Sequence, residues 1–383
     1  MLQLPERFAT FDEARQQGFL KVKQLKETGG KVVGTYCVFT PKELIFASGA
    51  VPVSLCGMSD EPISDAEEHL PPNLCPLIKS SYGFAITDKC PYFYFADLLV
   101  GETTCDGKKK MYEYLGKLKP MHVMQLPQSA DGERALSWWR DEMILLKERL
   151  EREFDTQITD AKLLDAIKLC NEERRSLKRF YELGALNPPP LTGEQMLSVL
   201  YSTGFTTDKQ EQKNSIEELI DVILADYEAG QNCIDPARPR ILITGCPIGG
   251  DTQKIVRLLE ESGAVVVCFE NCSGVKGHDQ LVAETGDLMT ALAEKYLNVA
   301  CSCISPNDNR IELLSRLIDQ YNVVGVVDMV LQACHTYNVE THRISQFVKD
   351  EKQVGYLAIE TDYSQSNLEQ LRTRLSAFVE MLA

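Results

Sequence analysis

Twice in this chain a short apolar run ends at a cysteine, passes into a helical segment closed by glycine, and returns as a second apolar run. Lys31-Val32-Val33-Gly34-Thr35-Tyr36 reaches Cys37, and after Gly49 the run Ala50-Val51-Pro52-Val53-Ser54-Leu55 reaches Cys56. Arg240-Ile241-Leu242-Ile243-Thr244-Gly245 reaches Cys246, and after Gly263 the run Ala264 to Glu270 returns. Continuous apolar runs alternating with helical segments are the pattern of parallel strands buried on both faces. A third run extends the echo. Phe93 to Val100 reads as a strand delivering Cys105, and Val323 to Val330 delivers Cys334. The chain therefore reads as α/β, with two doubly wound (Rossmann or flavodoxin-like) parallel-sheet domains related as a diverged repeat.

Punctuation divides the rest. Gly29-Gly30 stops a leading helix, and Asp235-Pro236-Ala237-Arg238-Pro239 is a linker signal. Between the halves, Trp138 to Phe154, Asp160 to Leu183 and Thr192 to Leu200 carry apolar residues at helical spacing. The expected order is an N-terminal helix (1–30), a first α/β domain (31–130), a helical bridge (131–234) and a second α/β domain (235–383). Thr40-Pro41-Lys42-Glu43 reads as a capping box, which accounts for Glu43 without chemistry. Cys170, inside a bridge helix, reads as a packing residue.

A net charge of −16 argues against nucleic acid or an anionic membrane as partner, since both select basic surfaces. Met1 to Phe8 shows no basic segment leading into an apolar one, and no window approaches the roughly 18 apolar residues of a spanning helix. A cytoplasmic protein is expected. Thirteen cysteines in a reducing compartment point to metal or redox chemistry rather than disulfides. Cys37, Cys75, Cys105, Cys246, Cys272, Cys301 or Cys303, and Cys334 all fall at strand ends or helix starts, where unpaired N–H groups favour thiolate. An iron–sulfur cluster, itself anionic, suits the same positions. Zinc fits less well, because neither Cys268-x3-Cys272 nor Cys301-x-Cys303 has a matching second pair. Gly245-Cys246-Pro247-Ile248-Gly249-Gly250 is not G-x-G-x-x-G, and there is no P-loop, so this chain is not expected to hydrolyse ATP in that way. Lys108 to Lys110 read as a solvated helix start. His335, beside Cys334, is the histidine with most to offer as an acid–base group.

Thr40-Pro41-Lys42-Glu43-Leu44 with Ala47 to Ala50, Asn73-Leu74-Cys75-Pro76, Thr104 to Lys109, Gln332-Ala333-Cys334, Glu360-Thr361-Asp362-Tyr363 and the closing Leu371 to Phe378 resemble the 2-hydroxyacyl-CoA dehydratase and benzoyl-CoA reductase family. Extra cysteines around Gly245-Cys246-Pro247, Asn271-Cys272-Ser273-Gly274 and Cys301-Ser302-Cys303 make the sequence look closest to its double-cubane cluster proteins. The resemblance implies an oxygen-sensitive iron–sulfur protein acting on a small-molecule substrate. It also implies a homodimer, with electrons supplied by a separate ATP-hydrolysing iron–sulfur activator. It matches Cys75, Cys105 and Cys334 to the ligands of one [4Fe-4S] cluster. The wider ligand set of a double-cubane [8Fe-9S] cluster adds Cys246, Cys272 and Cys301, with Cys303 the rival of Cys301. Cys37 matches a family cysteine taken as non-ligating. Three functions follow: a double-cubane reductase; a 2-hydroxyacyl-CoA dehydratase subunit with one cluster and a ketyl-radical mechanism; or a scaffold whose cysteines only pack.

Overall fold

The structure, a computed structural model, describes residues 9–231 and 234–382; the leader reading at Met1 to Phe8 lies outside them. The chain opens with α1 (Ala9–Glu27) and β1 (Lys31–Thr35), then α2 (Lys42–Ala47), β2 (Ala50–Ser54), α3 (Ile63–Ala66) and α4 (Pro76–Ile86). Next come α5 (Pro91–Phe95), β3 (Leu98–Glu102), α6 (Asp106–Leu115) and β4 (Met121–Met124). Four helices follow: α7 (Gly132–Phe154), α8 (Asp160–Glu182), α9 (Gly193–Ser202) and α10 (Lys209–Glu228). The remainder is β5 (Arg240–Gly245), α11 (Lys254–Glu261), β6 (Val265–Phe269), α12 (Leu288–Leu297), α13 (Asp308–Gln320), β7 (Gly325–Leu331), α14 (His335–Gln346), β8 (Gly355–Thr361) and α15 (Leu368–Glu380).

Both sheets are four-stranded and wholly parallel, and their orders match: β2-β1-β3-β4 and β6-β5-β7-β8. The repeat read from the cysteine-ended runs is thus a repeat of topology. β3, β5, β6 and β7 are buried along their whole length, as strands covered on both faces must be. In each sheet the order reverses between the first and third strands, and such a switch point opens a crevice at the carboxyl ends. The two crevices meet. Asp251 N–H donates to Met58 O at 2.9 Å, Tyr363 Oη to Gly57 O at 3.2 Å, and Ser305 N–H to Gln128 O at 2.7 Å.

The middle helices tie the halves together. Trp139 of α7 is fully buried edge-on to Phe39, while Arg140 on the same helix donates to Thr290 Oγ1 and Asp287. Arg174 of α8 reaches Glu43 on α2 at 2.6 Å and Tyr296 Oη on α12 at 3.1 Å. No helix among the described residues is long and apolar enough to cross a membrane.

Two local expectations fail for identifiable reasons. The run Phe93 to Val100 is not one strand. Pro91 at the first helical position and Cys90 Sγ, which accepts Phe93 N–H at 3.4 Å, turn Pro91–Phe95 into α5. Pairing begins only where Asp97 accepts Val32 N–H and returns its own N–H to Val32 O. The capping box at Thr40 does not form either. Thr40 Oγ1 donates instead to Glu102 Oε1, and Glu43 turns inward to Arg174 and Tyr296. A buried guanidinium binds a carboxylate more strongly than a solvated backbone N–H does.

His122 on β4 supplies a pH test. Burial, and then Arg149 and Arg152, hold its imidazole down at about 4, and Nε2 has no partner. A depressed folded value means that neutral His122 contributes stability above the unfolded value near 6.5, lost as pH falls toward 4. The loss should approach roughly 2–3 kcal/mol. Denaturation midpoints compared at pH 7 and 4.5 should show His122→Gln to be less acid-sensitive than the parent. An imidazole titrating near 6.5 by NMR contradicts the assignment.

Candidate functional site

The crevice collects cysteines because strands end there. Cys37 follows β1, Cys56 follows β2 and Cys105 follows β3; Cys246 follows β5, Cys272 follows β6 and Cys334 follows β7. Cys75 opens α4, and Cys301 and Cys303 lie on the turn between α12 and α13. All twelve described cysteines are free thiols.

They form two groups. In the first, Cys246 and Cys75 neighbour the Cys334 thiol most closely, with Cys105 within electrostatic reach. Cys75, Cys105 and Cys334 each occupy the cap position of a helix, α4, α6 and α14 respectively. Cys105 Sγ accepts Lys108 N–H at 3.4 Å, while Leu77 and Ile78 N–H act on Cys75, and Tyr337 N–H on Cys334, without a cap hydrogen bond. The two neighbouring thiols, and then the Tyr337 N–H, hold Cys334 far below the ordinary thiol range, at about 3. Cys75 moves up in exchange, first through Cys334 and then through burial. Cys246 moves up mainly through burial, and its sulfur accepts Leu331 N–H at 3.3 Å. Two backbone features aim these thiols. Gly245 has φ +104°, and a Cβ there would meet Met329 O at 2.2 Å, so only glycine delivers Cys246. Ala333 takes φ +57°, a strained value for a residue with a side chain, immediately before Cys334.

The second group joins Cys272, Cys301 and Cys303 with Cys37. Cys303 donates to Cys301 and draws it down to about 6, while Tyr337 Oη lies 3.7 Å from the same sulfur. Cys37 and Cys272 are within electrostatic reach of both, and burial lifts each of them, Cys272 to about 12. The six sequence candidates therefore split four and two across the groups. The structure adds Cys303 and Cys37 to the smaller set. Cys37 carries a sequence signal, its place at the end of β1 matching Cys246 at the end of β5; the Cys301 and Cys303 pairing has none beyond proximity.

Buried cations stand among the thiols. Lys108 is not a solvated residue: its ammonium donates to Tyr36 O at 2.8 Å, and its nearest charged neighbours include Cys37, Cys56 and Cys105. Lys109 and Lys110 do remain at the surface, paired with Asp106 and Glu113. Lys276 is buried between Glu270 at 3.1 Å and Tyr337 Oη at 2.8 Å. Glu102, three residues before Cys105, is lifted by burial to about 7. His335 is exposed at the start of α14 and takes no part; Tyr337, two residues on, faces the thiols instead.

Among the described residues no three His, Cys, Asp or Glu side chains converge as the ligands of a single metal ion. Buried donors without partners occur near cysteines: Tyr36 Oη by Cys56 and Cys90, Tyr112 Oη by Cys37 and Cys56, and, next to cysteines in the chain, Asn271 Nδ2 before Cys272 and Ser302 Oγ between Cys301 and Cys303. Buried donors left unpaired beside thiolates fit a guest rich in acceptor sulfur.

Comparison with known proteins adds ancestry. Residues 37–382 match the family model described as 2-hydroxyglutaryl-CoA dehydratase, D-component. The chain is 55% identical to YjiM of Escherichia coli (strain K12), provisionally named a dehydratase subunit, over 99% of this chain and 98% of that one. It is 26% identical to the (R)-phenyllactyl-CoA dehydratase beta subunit of Clostridium sporogenes, over 94% of both chains. A benzoyl-CoA reductase subunit of Thauera aromatica is 20% identical over 95% of this chain and 94% of its own.

Proposed function

The chain belongs to the 2-hydroxyglutaryl-CoA dehydratase D-component family, and on that premise we propose that it is an iron–sulfur reductase fed by a separate ATP-hydrolysing activator. The observation that carries the reading is the pair of thiol groups gathered at the joined crevices of two like sheets. Three of Cys75, Cys105, Cys246 and Cys334 would hold one half of a double-cubane cluster, and three of Cys272, Cys301, Cys303 and Cys37 the other. Such a cluster supplies low-potential, one-electron chemistry when bound.

The chain's own residues do the rest. Helix N-termini at α4, α6 and α14 would favour thiolate once iron is bound, and Lys108 and Lys276 would offset the accumulated negative charge. Asn271, Ser302 and Tyr36 offer hydrogen bonds of the kind that tune a cluster's potential. Because the relatives are named as subunits, assembly with a further chain, or a second copy of this one, belongs to the proposal.

The named activities of the relatives favour a second reading, a 2-hydroxyacyl-CoA dehydratase subunit with one [4Fe-4S] cluster at Cys75, Cys105 and Cys334. Iron and sulfide content after oxygen-free purification separates the two. About eight irons per chain supports the first and about four the second. A chain free of iron when prepared without oxygen sinks both.

A further inference from the structure

We propose that the cavity between α2, α8 and α12 binds a compact monoanion, held by the ammonium groups of Lys42 and Lys295. The space is about 180 Å³ and is walled by Lys42, Arg174, Lys295, Tyr296 and His278, with Met58, Leu200 and Phe205 among its apolar residues. Its charges do not balance. Arg174 is engaged by Glu43 and Asn171, and Lys209 by Glu173, Gln212 Oε1 and Thr203 O. That accounts for both carboxylates and two of the five cations; a third, Lys108, donates to Tyr36 O at 2.8 Å.

Lys42 and Lys295 are left over. Neither ammonium has a hydrogen-bonding or ion-pairing partner among the described residues, although Lys295 is only 5% exposed. Both line this cavity; each feels Arg174 and Cys170, and the nearest carboxylates, Glu173 for Lys42 and Glu43 for Lys295, act on them without making contact ion pairs. The Lys295 ammonium does sit 3.9 Å from the centre of the Tyr296 ring. The ring face and the more distant Glu43 carboxylate supply partial compensation, not a contact counter-charge. Burial depresses both lysines, and a resident anion would reverse that depression.

Size selects the guest. The space of about 180 Å³ falls short of the roughly 300 Å³ or more usual for drug-sized ligands. It suits a small carboxylate or an inorganic oxyanion. Cys37 and Cys272 line the same cavity, so the anion would lie beside the second thiol group. Only that last placement rests on the cluster reading; the site itself rests on the lysines.

Calorimetric titration of the full chain, purified without oxygen, with butyrate and separately with nitrate tests the site. Saturable binding of either is expected, weakened at least tenfold by Lys295→Met and by Lys42→Met. The tighter of the two probes names the source. Lys42 is less buried, so its variant keeps the test alive where Lys295→Met does not fold. No saturable binding to the parent, or binding unchanged in a folded variant, overturns the proposal. Iron content measured on the same samples shows separately whether the cluster reading stands.

Discussion

Cys334→Ser should strip the protein of most of its iron and of its visible cluster absorbance, whereas Cys170→Ser should retain both. Cys334 is the hub of the first group: Cys246 and Cys75 both act on its sulfur, and it sits at the N-terminus of α14. Serine keeps the shape and the hydrogen bonds but is a far poorer ligand for iron, so the effect isolates metal binding from packing. Cys170 provides the contrast. It is well buried, yet its charged neighbours are Glu43, Arg174, Glu173 and Lys42, and no other cysteine is among them. Metal analysis and absorbance on anaerobically prepared protein read the result. Equal loss in both variants, or equal retention, removes Cys334 from the ligand set.

Arg310→Met should cost about 3–5 kcal/mol of stability, the range for stripping the partner from buried charges. Arg310 is fully buried. It donates to Glu340 at 2.5 Å and Thr244 Oγ1 at 2.7 Å, and lies 3.6 Å from Asp328 and 3.5 Å from Glu270. Methionine fills much of the same space but leaves Asp328 with a tyrosine hydroxyl as its remaining donor. Burial already pushes the Asp328 carboxyl upward despite Arg310, so the carboxylate depends on that guanidinium. Adding Asp328→Asn should recover part of the loss, because the second change removes the stranded charge. Denaturant midpoints of the two single variants and the double read the cycle. A single-variant loss under about 1 kcal/mol contradicts the buried-network account. The network also bears on the site: the Arg310 guanidinium lies 4.9 Å from the Tyr337 ring, whose hydroxyl meets Lys276 and Cys301.

The architecture could be read ahead of the coordinates because it is written in short-range patterns. Runs such as Ile241 to Thr244 and Val326 to Val330 are continuous and rich in β-branched residues, and each hands over to a helix within a few residues. Where the local pattern was ambiguous it misled. Phe93 to Val100 is largely apolar, but the decision between helix and strand lay with Pro91 and with the first pairing contact at Asp97. Periodicity contains neither. The same holds for Thr40 and Glu43, whose spacing suits a cap but whose partners, Glu102 and Arg174, are 62 and 131 residues away.

That cysteines would stand at the carboxyl ends of parallel strands follows from residue order alone, since a strand followed by a helix leaves its turn on that edge. Which of them meet does not. Cys75 and Cys246 reach Cys334, Cys37 comes near Cys301 and Cys303, and Lys108 turns inward among them. Those contacts arise from joining two sheets through α7 and α8, and that joining depends on the buried faces of whole helices. No spacing between one cysteine and the next encodes it.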